Sequence, residues 1–239
     1  MSDMSSEPGG SLVRRAMDAV SAHIARQHLR VGDTLPGEAH FASELGVSRA
    51  VMREAFGALA ALHLLDVGNG RRARVGAMDG SAMATSLTHA MSTNQVSVVE
   101  IWDVRRTLEA RTAALAALHR TDEQAARIVA LAETMATETH DMPRMTGHDI
   151  EFHETIARAT QNALFLQIVQ SFGPLMRIAV PAAWRTRTTA EQRQTIIDHH
   201  RAVATAVAGR DEAGAAAAME AHFDASIGNV LREMGTSGE

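Results

Sequence analysis

The chain has 239 residues, enough for two modest domains that each bury an apolar core. Its 46% apolar and 21% charged residues are ordinary for a globular protein, and no uninterrupted apolar run approaches the roughly 18 residues of a membrane span, which excludes a membrane protein. The net charge of -5 is unevenly spread: residues 10–77 hold nine Arg against six Asp and Glu, while residues 78–239 hold fourteen Arg against twenty, so the basic character sits at the front.

The opening MSDMSSEPGG carries no basic stretch followed by an apolar segment, so residues 1–10 read as a disordered tail and not a secretory signal, and a cytoplasmic address is expected. From Ser11 to His28 the apolar Leu12, Ala16, Val20 and Ile24 recur every fourth position, the mark of an amphipathic helix that Val31-Gly32-Asp33 stops. A short helix follows from Gly37 to Leu45, then the turn Gly46-Val47, then Ser48 as N-cap of a helix to about Leu62, with Val51, Ala55, Leu59 and Leu62 as its packing face. Leu64–Val67, Gly68-Asn69-Gly70 and Arg71–Val75 predict strand, tight turn and strand. Residues 77–95, small and polar but with Met83, Leu87 and Met91 able to make them partly helical, are expected to be a linker. Residues 96–234 show no convincing strand, only Ala-rich helical segments broken at Thr121, near Pro143, at Gln161-Asn162, around Pro181 and at Gly209, before a tail at 235–239. The predicted fold class is mostly α, a winged helix-turn-helix at residues 11–76 ahead of an all-α bundle.

Two helices joined by a glycine-containing turn place the second helix for the major groove. Arg49 and Arg53 lie four apart and share a face from which Arg can pair with guanine or clamp phosphate. Arg71, Arg72 and Arg74 beside Gly70 suit phosphates or a minor groove. Taken singly, each of these arginines is more often part of a solvated surface. Their order and spacing decide otherwise, because Leu35-Pro36-Gly37-Glu38, Leu45-Gly46-Val47-Ser48-Arg49, Val51-Met52-Arg53-Glu54-Ala55, Leu59, Leu64-Leu65 and Gly70 together resemble the GntR family of bacterial repressors. The resemblance implies a homodimer bound to a palindromic double-stranded DNA operator through Ser48, Arg49, Arg53, Gly70, Arg71 and Arg72. One departure is Ala39, followed by His40, where the family usually carries an Arg that contacts DNA.

Cysteine is absent, so any metal must be held by His, Asp or Glu. Asp149 and His153, four apart, share a helical face with Ile156 and Thr160, and a carboxylate and an imidazole so placed can chelate. His200 precedes Val203 and Val207 by three and seven, and His222 follows Met219 by three, so both can face a bundle core. Three imidazoles and a carboxylate suit zinc, nickel or manganese. Unrelated core or surface histidines are the plainer alternative, with twelve His in the chain.

Asp149-x3-His153, His200-Arg201-Ala202-Val203 and Ala221-His222 resemble the ligand positions of the FCD domain, the effector domain of the FadR subfamily. All four positions are filled, which implies a bound divalent ion, zinc foremost. His148 and His199 are neighbours turned about 100° away from the inward face. Glu100–Glu109 resembles the first helix of that domain, whose Arg at the position of Arg105 points into the ligand cavity. The implied effector is a small organic acid held between the ion and Arg105. A surface salt bridge from Arg105 to Glu100, Asp103 or Glu109 is the alternative. The expected function is a regulator, a repressor by the family's habit, and not an enzyme. Two other readings stay open: a sensor for which the ion itself is the signal, and a metal-dependent hydrolase, although no HExxH occurs and Glu154 beside His153 is poorly placed as a base.

Overall fold

The computed structural model describes residues 9–236, with the side chains of Ser11 and 227–236 outside the description. The expected tails fall outside it at residues 1–8 and 237–239, while Gly9 and Gly10 already belong to the first helix. The chain divides into two compact units between Ala82 and Met83.

The first unit holds α1 (Gly9–Arg26), α2 (Glu38–Leu45), α3 (Arg49–Ala61), β1 (Leu65–Asp66) and β2 (Arg74–Val75). Gly46 ends α2 in the left-handed region at φ 66°, a conformation open to glycine at no steric cost, and lets the chain reverse into α3 within three residues. Ser48 caps α3 by accepting from the Val51 amide at 3.2 Å. The buried face of α3 is Met52, Ala55, Phe56 and Leu59, whereas Val51 is half-buried and Leu62 is 49% exposed. The expected phase is therefore right at Ala55 and Leu59 and one residue out at its start, while Leu62, the C-cap, lies beyond the packed face. Each strand is two residues long, paired antiparallel as Leu65 with Val75 and Asp66 with Arg74. The predicted tight turn is present, the Arg71 amide donating to the Gly68 carbonyl at 3.3 Å, but it tips a longer wing loop, 67–73, because the strands are short; Thr34 adds an isolated antiparallel bridge to Arg74. Gly76 follows with no room for a side chain: a Cβ there would sit 2.3 Å from the His63 carbonyl oxygen.

The second unit is all helical: α4 (Ser81–Ser92), α5 (Val98–His119), α6 (Asp122–Thr137), α7 (Met142–Ala159), α8 (Ala163–Ser171), α9 (Gly173–Arg185), α10 (Ala190–Ala208) and α11 (Glu212–Thr236). The stretch read as a linker thus contains a helix, and Leu87 and Met91 of α4 pack against the core of this unit. Capping boxes at Ser97/Glu100, Thr121/Gln124 and Thr189/Gln192 open α5, α6 and α10. Pro143 opens α7 as expected of a first-turn proline. Pro181, expected at a break, lies inside α9, and the breaks on either side fall at Phe172, before α9, and at residues 186–189, after it. No single helix among the described residues is long and apolar enough to cross a membrane. The long α5 packs on α7 and α11, and α10 lies against α6 and α11, which turns one face each of α5, α7, α10 and α11 toward a common centre around Phe152, Val203 and Phe223.

Candidate functional site

Three helices deliver the four predicted ligands to that centre. Asp149 and His153 come one turn apart on α7, His200 on α10 and His222 on α11, and all four are buried. One nitrogen from each histidine lies within 4.8 Å of the others, with ring centroids of His200 and His222 only 4.4 Å apart. The Nε2 of His200 is 3.1 Å from Oδ1 of Asp149. The plainer alternative of unrelated histidines does not describe this arrangement. His148 is turned to Glu138, at 3.0 Å, and His199 is half-exposed; neither joins the cluster.

The electrostatics of the cluster ask for a cation. The Nδ1 of His200 is 2.8 Å from the Ile196 carbonyl, which can only accept, so that nitrogen carries the proton. Burial pushes the Asp149 carboxyl up, but His200, His153 and Arg105 outweigh it and hold its pKa at about 2. With Nδ1 donating to that carbonyl, Nε2 is the nitrogen that His200 turns toward Asp149, and a proton or a metal ion can lie between the two. Burial first, then the neighbouring His200 and His153, lower the pKa of His222 well below the usual histidine value, and its Nδ1 is buried with no partner. A neutral imidazole with an unmet polar atom beside a carboxylate is the donor set of a transition-metal site. The residues present therefore fit such an ion.

Arg105 on α5 lines the same cavity, together with Asp149 and the three histidines. It does so as half of a buried ion pair: its Nε donates to Oε1 of Glu109 at 2.7 Å, and its guanidinium lies 5.2 to 5.7 Å from the rings of Phe223, Trp102 and Phe172. The predicted alternatives of pocket and salt bridge are both realised, although the bridge is buried and not on the surface. Glu100 instead closes the cap of α5. The other oxygen of Glu109 abuts Nδ1 of His153, close but off the line of a hydrogen bond. Arg105 and His153 offset the burial that would raise Glu109 and keep its pKa below the usual glutamate value.

Two participants escaped the sequence reading. Glu109 was weighed only as a surface partner, though its spacing of four from Arg105 was visible. Arg187, on the connection between α9 and α10, is only 4% exposed and lines the cavity; nothing in its local sequence marks it, since the distant helices α7 and α11 make its surroundings. The cavity measures about 40 Å³, room for an ion and a few waters and not for an organic acid unless side chains move.

In the first unit, Arg49 and Arg53 are both exposed on α3, and Arg53 lies 3.8 Å from Glu38 of α2. Gly70 turns the wing at φ 72°. Arg71 is drawn back onto Asp66 at 2.6 Å and Arg74 onto the Gly32 carbonyl at 3.2 Å, which leaves Arg72 as the exposed wing cation without a partner among the described residues. His40 sits 3.7 Å from Glu44 on its own helix.

The profile of "Bacterial regulatory proteins, gntR family" matches residues 12–75, and that of the FCD domain matches residues 100–225. The chain is similar to the Glc operon transcriptional activator of Escherichia coli, 30% identical over 179 residues that cover 73% of this chain and 70% of the relative. It is similar to the HTH-type transcriptional regulator LutR of Bacillus subtilis, 28% identical over 204 residues covering 84% and 92%, and to the HTH-type transcriptional repressor NanR of Salmonella newport, 26% identical over 204 residues covering 84% and 78%. Among solved structures, Streptococcus agalactiae GntR matches with a TM-score of 0.66 at 22% identity, covering 89% of this chain and 97% of that one, a likeness of fold.

Proposed function

Because the chain belongs to the GntR family of bacterial regulatory proteins, with an FCD domain behind its DNA-binding domain, we propose that its affinity for an operator is set by a small carboxylate held at a metal site of Asp149, His153, His200 and His222. The chain is a DNA-binding transcriptional regulator and not an enzyme, in keeping with its domains and relatives, so the hydrolase reading is dropped. The observation that carries the proposal is the clustering of three buried imidazoles, with the buried Asp149 carboxylate 3.1 Å from one of them, His200. Zinc suits the set of nitrogen and oxygen donors, with nickel or manganese also compatible. When bound, such an ion supplies positions for carboxylate oxygens in place of water. The protein's own part is to hold the imidazoles and Asp149 in place, with the Ile196 carbonyl orienting His200 and the Glu109 carboxylate abutting His153.

At the other end, α3 enters the major groove with Arg49 and Arg53 toward the bases, Ser48 at its capped N-terminus near phosphate, and Gly70, Arg71 and Arg72 in the wing over the backbone. The protein acts as a homodimer on a palindromic site, because one recognition helix reads too few base pairs for selectivity and a pair related by symmetry doubles them. A second reading, in which the ion alone is the signal, draws support from the small cavity.

The test is elemental analysis joined to operator binding. The purified protein should hold about one transition-metal ion per chain, lose it to chelator, and lose it in His153→Ala, His200→Ala and His222→Ala. An acid added to metal-loaded protein should then change operator affinity by about 5- to 150-fold. Metal content unaffected by chelator and by all three substitutions overturns the site. A shift produced by metal alone, with no further effect of any acid, selects the second reading. A reporter under the operator gives the direction of control, with repression by the acid-free protein the expected sign.

A further inference from the structure

Arg187 has no assigned role, and its setting is unusual for a buried cation. Its backbone is fixed on both sides: its amide donates to the Trp184 carbonyl at 3.1 Å, and its carbonyl accepts from Nε of Arg193 at 3.0 Å. Arg193 is in turn seated 5.8 Å from the ring of Trp184. The guanidinium held out by this anchored backbone is 4% exposed and lines the cavity, yet among the described residues it makes no hydrogen bond and no ion pair. Desolvation lowers its pKa, with the Asp149 carboxylate the one charge opposing the shift. An arginine carries five donors in a planar fork, and those of Arg187 are neither paired nor sealed in, so the fork is open to an acceptor in the cavity that it lines.

Arg105, the other cation of the cavity, is not open in the same way. Its Nε is committed to Glu109 and its guanidinium is hemmed by Trp102, Phe172 and Phe223. The charges around the cavity point to that acceptor. Glu109 and Asp149 cancel Arg105 and Arg187, and metal-binding imidazoles are neutral, so a divalent ion leaves two positive charges in a buried site.

Resting on the metal-site reading above, we propose that Arg187 is the residue that selects the effector, and that the effector is a dianion: one carboxylate goes to the ion and a second is clamped by the fork of Arg187. Because its guanidinium breaks no bond on moving, Arg187 is also the side chain that can withdraw to enlarge the 40 Å³ cavity and close again on the ligand.

The experiment uses zinc-loaded full-length protein and pairs of acids that differ by a carboxylate in place of a methyl group: malonate against propionate, succinate against butyrate, and malate against 2-hydroxybutyrate. Calorimetry should show at least one dianion preferred over its partner by about tenfold or more, the worth of a charge-assisted bidentate contact. In Arg187→Gln the preference should fall to within about threefold, with zinc content unchanged and the weaker acid bound as before. Arg187→Lys, which keeps the charge and loses the fork, should give an intermediate preference and serves if the Gln variant does not fold. Dianions bound no better than their partners by the parent, or a preference that survives in the variants, overturns the inference and leaves the metal site intact. Binding of none of the six acids by zinc-loaded parent overturns the inference together with the reading that a carboxylate is held at the metal.

Discussion

Glu109 is the residue on which the buried charges turn. It is 1% exposed, and one carboxylate reaches Arg105 with one oxygen and His153 with the other. Removing it would leave the Arg105 guanidinium buried and uncompensated, so Glu109→Ala should destabilise the metal-free protein by about 3–5 kcal/mol in urea unfolding. Replacing both partners by apolar residues, Arg105→Met with Glu109→Leu, should recover most of that loss; a double variant as unstable as the single would show that the charge pair is not what Glu109 supports. Since the pKa of Glu109 is lowered in the folded state, the stability it confers is complete above the usual glutamate value and is lost as pH falls through the lowered one. At this scale the clustered histidines were legible, because a carboxylate and an imidazole four apart on one helix and single histidines in phase with apolar neighbours leave a trace in sequence. Arg187 left none. Its role depends on which distant helices surround it, and periodicity within one element carries no information about that.

At the scale of elements, α3 and the wing separate arginines that the sequence could only group. Arg49 and Arg53 project from the capped first turns of α3, and each substituted by Ala should weaken operator binding by about tenfold or more, read by fluorescence anisotropy. Arg72→Ala should weaken binding evenly across sequences and reduce the salt slope by about one phosphate contact, whereas Arg71→Ala, already tied to Asp66 at 2.6 Å, should do less. Equal effects of the two would mean that the ion pair opens on DNA. The misjudged elements share a cause. The ends of α3 and the length of the strands follow from tertiary neighbours: Met52 and Phe56 are buried by the rest of the first unit, and Thr34 takes a place in the ladder that no local signal announces. Pro181 shows the same override, since a helix with enough packing along its length tolerates a residue that alone would end it.

In the whole molecule, basic and acidic charge are divided between a front part with more Arg than Asp and Glu and a back part with fewer. The front part was the more legible, because its motif is contiguous from Leu35 to Gly70, whereas the three clustered histidines and Asp149 are spread over three helices and needed the fold to show that they lie together. Between β2 and α4 lie only residues 76–80, and Leu87 and Met91 of α4 are already part of the second unit's core. Five residues reach at most about 18 Å. In a dimer, such a leash keeps the second DNA-binding unit at an effective concentration of order millimolar once the first has found its half-site. Lengthening it by about ten Gly and Ser residues should leave the metal content intact, weaken binding to the paired site more than to an isolated half-site, and blunt the response to effector. Under the proposed function, control is a matter of avidity: a ligand in the helical unit need not touch any arginine on the DNA, only decide whether two grips can be held at once.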